Sequence, residues 1–246
     1  MESKDFSLMV DNETIKGVLE NPASDKLIII AHGFTGNMNG PDNLSLKFSK
    51  KLQEEGFAVV RFNFRGTPPS EGEFKDMVLE NEIKDLKAVI SEAKSMGYKK
   101  IGVLGKSMGG AVVVGAYDPS LKIVVFWYPA FDFINTAFRK YLTDKSSQEL
   151  REKGFLIEAG FKIGKTFIEQ IKHVNLYDTI KQIRCPVLFV HGDKDSDVPY
   201  EQSEKAFKLA KEPKELHIIK GAEHCFKNEQ KVIMNLTLKF VKKYFS

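Results

Sequence analysis

Gly105-Lys106-Ser107-Met108-Gly109-Gly110 follows the apolar run Ile101-Gly102-Val103-Leu104 and opens a helical stretch. This is a G-x-S-x-G pattern in its proper setting, a sharp turn from strand to helix. Small residues two before and two after the serine let strand and helix approach each other. The turn then holds Ser107 in a strained conformation, exposed at the carboxyl end of a strand. The same letters also end like a phosphate-binding loop. That loop needs a glycine five residues before the Gly-Lys pair, where Lys100 stands, so nucleoside triphosphate binding is set aside.

Working outward, short apolar runs alternate with longer helical segments. Strands are expected over 6–10, 15–20, 27–31, 58–64, 101–104, 123–127, 187–190 and 215–219. The first two read as an antiparallel pair turning at Asp11-Asn12. The later ones are continuous apolar runs, as expected for parallel strands covered on both faces. Helices are expected over 44–55, 108–117, 201–210 and 230–244. Another is marked by Ile83, Leu86, Ile90 and Ala93, a stripe at three- and four-residue steps. Alternating strands and helices imply an α/β fold with a mostly parallel, doubly wound sheet of about eight strands. Residues 129–180 break the rhythm. They hold aromatics from Phe131 to Tyr177, interrupted by Gly154, Gly160 and Gly164, and read as a mostly helical lid insertion. The core is then 1–128 and 181–246. Most of the insertion's aromatics are expected to form its own packing. Tyr141 and Tyr177 are candidate donors to a phenolic substrate.

Three further motifs follow strands. His32-Gly33-Phe34-Thr35-Gly36 is a glycine-rich loop able to aim a backbone N–H into a site. The N–H groups of Phe34 and Met108 are the natural pair to hold an oxyanion. His32 itself, fixed by the turn, is read as structural. His191-Gly192-Asp193-Lys194-Asp195-Ser196-Asp197-Val198-Pro199 carries three alternating acids. A calcium loop would need glycine where Val198 stands, so no metal is expected, and the stretch is read as a carboxylate that orients a histidine. Gly221-Ala222-Glu223-His224-Cys225-Phe226 supplies that histidine. A serine, an acid and a histidine each following a strand lie at one edge of the sheet, in the order Ser…Asp…His. Cys225 is poorly placed as a nucleophile, because no elbow presents it, and Cys185 reads as a buried strand residue.

Composition narrows the remaining classes. The 246 residues carry 37 Lys+Arg and 33 Asp+Glu, well mixed, for a net charge of +4. No basic block points to nucleic acid. No apolar run approaches the ~20 residues of a membrane span. With 2 cysteines and no signal-peptide pattern, a cytoplasmic protein is expected, a monomer or homodimer.

These motifs together resemble the α/β-hydrolase superfamily over nearly the whole chain, most like small bacterial esterases of the feruloyl/cinnamoyl type. The resemblance implies an α/β-hydrolase fold, with Ser107 as nucleophile, His224 as base and Asp195 as its orienting acid. The family's HG-x-x-D-x-x-VP spacing selects Asp195 among the three acids. Lys106 departs from the family, which more often has His or Gln there. The implied activity is a serine carboxylesterase working without cofactor on small esters, hydroxycinnamoyl esters first and short-chain acyl esters next. Two competitors stand beside it. One is a serine peptidase of the prolyl-oligopeptidase type, whose members usually carry a large further domain. The other is a binding protein on a hydrolase scaffold.

Overall fold

The computed structural model describes residues 2–245. The chain begins with β1 (Ser3–Val10) and β2 (Glu13–Glu20), an antiparallel pair. Asp11 and Asn12 between them have φ 49° and 67°. Two positive φ values are what a two-residue hairpin turn requires, and Asn and Asp tolerate them best. Then come β3 (Lys26–Ala31), α1 (Leu44–Glu54), β4 (Ala58–Asn63), α2 (Leu79–Ser95), β5 (Lys100–Lys106), α3 (Met108–Gly115) and β6 (Ile123–Trp127). After a long excursion the core resumes with β9 (Val187–Gly192), α7 (Glu201–Leu209), β10 (Lys214–Ile219) and α8 (Gln230–Phe245).

Eight strands form one sheet in the order β1-β2-β4-β3-β5-β6-β9-β10, parallel from β4 onward. It is the mostly parallel α/β-hydrolase architecture that the sequence implies. The inner parallel strands β4, β6 and β9 are buried along their whole length because both faces are covered, whereas the edge strand β10 is half-buried. On one face α2 and α3 pack through Leu86, Val89, Ile90, Ala111 and Val112 against Val103 and Phe126. On the other, α1 and α8 place Phe48, Leu52, Phe240 and Phe245 against Ile28, Leu104 and Trp127. The indole Nε1 of the fully buried Trp127 donates to Thr237 Oγ1 at 2.8 Å, which ties α8 to the sheet. No helix among the described residues is long and apolar enough to cross a membrane.

The excursion between β6 and β9 holds 3-10 turns, α4 (Asp144–Lys153), β7 (Phe155–Glu158), β8 (Phe161–Gly164), α5 (Lys165–Ile171) and α6 (Tyr177–Ile180). The β7–β8 hairpin is an element that the mostly helical reading of this segment did not single out. Its strands are too short to display alternation. Its turn is Ala159-Gly160, with φ 50° and 84°, so the usual Asn or Asp is missing from the turn. The segment has no separate core: Phe131, Phe133, Phe167 and Tyr177 belong to the same apolar cluster as Val103 and Phe126.

Candidate active site

β5 runs through Gly105 and Lys106, and α3 starts at Met108, so Ser107 alone makes the turn. Its φ is 52° and ψ −123°, a conformation that costs a non-glycine residue on the order of 1–3 kcal/mol. Neighbours over-determine it. Ser107 N donates to Trp127 O at 3.0 Å, and its carbonyl accepts from Gly110 N at 2.9 Å and Ala130 N at 3.0 Å. The flanking glycines are obligatory. A Cβ at Gly105 would lie 2.5 Å from Gly109 O, and one at Gly109 would lie 2.4 Å from His32 O.

The acid loop follows β9 and the histidine follows β10, at the same carboxyl edge. Asp195 Oδ2 lies 2.6 Å from His224 Nδ1. The carboxylate accepts a hydrogen bond from Nδ1–H, which leaves the His224 Nε2 lone pair free to act as a base. The Asp195 side chain is fully buried. Burial works to raise its carboxyl, but hydrogen bonds from His191 and His224 and from Val198 N outweigh it and hold the group well below the usual range. The other two acids are employed differently. Asp193 Oδ1 accepts from Gly221 N at 2.6 Å, and the Asp197 carbonyl accepts from Ala137 N at 2.7 Å. Geometry thus singles out Asp195, the choice sequence alone left open.

On the opposite wall, His32 Nδ1 donates to Gly33 O at 2.9 Å and Nε2 accepts from Phe64 N at 3.1 Å. Burial pulls this imidazole down to about 4, with Lys106 adding to the effect, so it is neutral and serves as a brace. The brace holds the loop that carries Phe34. Among the described residues, neither Phe34 N nor Met108 N donates to a protein acceptor. Ser107, His224, Gly33 and Phe34 line one cavity of about 290 Å³, completed by Phe138, Tyr141, Glu158 and Val198. Ser107 Oγ makes no hydrogen bond to His224 here; such contacts commonly tighten only with substrate present.

A match to the prolyl oligopeptidase family covers residues 44–246, including every residue of the elbow, the acid loop and the histidine turn. The chain belongs to that family. Among curated relatives, the uncharacterized protein YfhR of Escherichia coli K12 is 28% identical over 201 residues, 80% of this chain. The match spans 62% of YfhR. The mitochondrial palmitoyl-protein thioesterase ABHD10 of Bos taurus is 26% identical over 214 residues, 82% of this chain and 68% of ABHD10. Among solved structures, Est1E of Butyrivibrio proteoclasticus with bound ferulic acid superposes with a TM-score of 0.85 at 25% identity. The superposition covers 98% of this chain and 99% of Est1E.

Within this family member several side chains near the site carry information the motifs did not. His191 is fully buried, with Nε2 at 3.1 Å from Asp195 Oδ2 and 3.0 Å from Val198 O. Two acceptors place its proton there, and Nδ1 accepts from Ser203 Oγ at 2.7 Å. Its position at the end of β9, four residues before the acid, was the available signal. Cys225 lines the cavity beside His224, but burial pushes its thiol up to about 11, so it stays protonated near neutrality. Cys185 is buried just short of β9 rather than within it. Of the two tyrosines expected to reach substrate, Tyr141 lines the cavity, as Glu158 does. Tyr177 lies elsewhere, against Phe131 and under Lys205 Nζ at 3.9 Å.

Proposed function

We propose that this chain is a serine hydrolase acting on small carboxylic esters through an acyl-enzyme, with Ser107, His224 and Asp195 as its catalytic triad. The observation that carries the reading is the convergence on one cavity of a serine on a strained elbow and a histidine whose Nδ1 is held at 2.6 Å by a buried carboxylate. Ser107 Oγ attacks the substrate carbonyl carbon while His224 Nε2 takes its proton. The carbonyl oxygen becomes an oxyanion, received by the N–H groups of Phe34 and Met108. His224 then protonates the departing alcohol, and a water molecule repeats the sequence on the acyl-enzyme. Each oxyanion donor is worth on the order of 10²–10³ in rate. Residues 129–180 act as a lid, closing the cavity with Phe138 and Tyr141.

Hydroxycinnamoyl esters are the first substrate proposed. The support is the similarity to Est1E, which binds ferulic acid, and an aromatic wall of Phe34, Phe138 and Tyr141. Peptide hydrolysis is the second reading, favoured by the family to which residues 44–246 belong. One panel separates them: p-nitrophenyl esters of rising acyl length, methyl hydroxycinnamates, an acyl thioester and aminoacyl amides, with wild type and Ser107→Ala. Ester turnover that vanishes in folded Ser107→Ala is expected. Ester turnover surviving that substitution would refute the assignment, and cleavage of the amides alone would move it to the peptidase reading.

A further inference from the structure

The residue before the nucleophile is the least expected in the site. Lys106 is 2% exposed, yet it lines the same cavity as Ser107. A lysine has three N–H donors and no acceptor. Lys106 Nζ makes one side-chain hydrogen bond, to the fully buried Ser45 Oγ. A Cβ on Gly40 would lie 2.5 Å from Lys106 Nζ, so the ammonium sits against the cavity-lining backbone there.

No carboxylate compensates this charge among the described residues. The charged or ionisable groups that act on it are Cys225, kept a neutral thiol by burial, and Arg61, a like charge. Arg61 is already held by Glu20 at 3.0 Å and by Asn39 at 2.6 Å. Of the acids lining the cavity, Glu158 is taken by Lys140 at 2.9 Å, and Asp197 acts on Cys225 rather than on Lys106. Ser45 lies in the first turn of α1, so the positive end of an 11-residue helix adds to the same field. Burial draws the lysine down to about 8, which leaves most of it charged at neutral pH. A buried cation with spare donors on a cavity wall, with no counter-charge built beside it, is costly unless something else supplies the anion.

We propose that Lys106, positioned by Ser45, forms an anion subsite of the cavity, and that the ester hydrolysed at Ser107 carries a carboxylate. The two remaining ammonium N–H groups supply the donors such a carboxylate accepts, while Ser45, fully buried behind the cavity wall, holds the ammonium in place. The inference rests on the Ser107 reading for its chemistry, but the subsite itself does not depend on it.

Two matched pairs test the proposal. In the acyl half, p-nitrophenyl hydrogen glutarate is compared with p-nitrophenyl butyrate. In the alcohol half, 2-acetoxypropanoate is compared with 2-acetoxypropanamide. Wild type at pH 7 should prefer the charged member of at least one pair by tenfold or more in kcat/KM. Lys106→Met should lower that ratio by tenfold or more, and Ser45→Ala should lower it severalfold. The ratio is the readout, so a general loss of activity in a variant does not imitate the result. A wild-type ratio of one or below in both pairs overturns the proposal, as does a ratio unchanged in folded Lys106→Met. If no ester is turned over, the Ser107 reading has failed, and the subsite is judged by thermal stability at matched ionic strength. Protection of wild type by butyrate over butyramide then supports it, and equal protection overturns it.

Discussion

Ser107 and Lys106 are consecutive, and the chain treats them in opposite ways. Ser107 takes a strained backbone and keeps its side chain at the cavity. Lys106 keeps ordinary strand geometry and stores its cost in a buried charge. That charge makes stability depend on pH with a definite sign. Folding draws Lys106 from 10.5 down to about 8. Between those values the unfolded chain holds a proton that the folded protein has released, so stability rises with pH across that window. The whole window is worth ~3 kcal/mol. Lys106→Met should therefore be more stable than wild type at pH 7, by up to ~3 kcal/mol less the lost Ser45 contact. That advantage should shrink toward zero by pH 10.5, as read by urea denaturation at several pH values. An advantage constant with pH would contradict it. At this scale Ser107 and His224 were legible because each follows a strand in a recognisable turn. Asp195 could be picked from three alternating acids only through the family's spacing, not from the residues alone; its carboxylate lies 2.6 Å from His224 Nδ1. His191 offered only its place at the end of β9, four residues before the acid, and that place does not say which way the buried imidazole turns.

Elements carry the precision of the site. Gly109 on α3 abuts the end of β3, where a Cβ would lie 2.4 Å from His32 O and 2.7 Å from Ala31 O. Backbone atoms cannot yield as a flexible side chain does, so Gly109→Ala must push α3 from β3. We expect a cost of about 1–3 kcal/mol in stability. A fall in kcat should accompany it, because Ser107 and the Phe34 loop ride on the two displaced elements. Denaturation and ester kinetics on one preparation measure both, and wild-type kcat in that variant would contradict the account. Residues 129–180 pack on the same loop. Phe34 stacks on Phe167 at 5.1 Å between centroids and meets Phe138 edge-on at 5.0 Å. The strands and helices of the core were readable because their apolar periods are long and uniform. The β7–β8 hairpin was not, because four-residue strands and an Ala-Gly turn leave too little pattern to read.

At the scale of the whole molecule, the sheet order brings the ends of β3, β5, β9 and β10 to one edge, which is how residues as far apart in sequence as Phe34 and His224 share a cavity. The aromatics Phe131, Phe133, Phe167 and Tyr177 belong to the core cluster of the sheet, so residues 129–180 and the sheet should unfold together. Calorimetry should give one transition with equal calorimetric and van't Hoff enthalpies. Two resolved transitions would show that residues 129–180 are a unit of their own. We propose that this assembly activates one serine. The most direct test is intact-protein mass spectrometry after exposure to a fluorophosphonate, followed by peptide mapping. One covalent adduct on Ser107 is expected in wild type and none in Ser107→Ala. A folded wild type that takes no adduct, or takes it on another residue, would contradict the account.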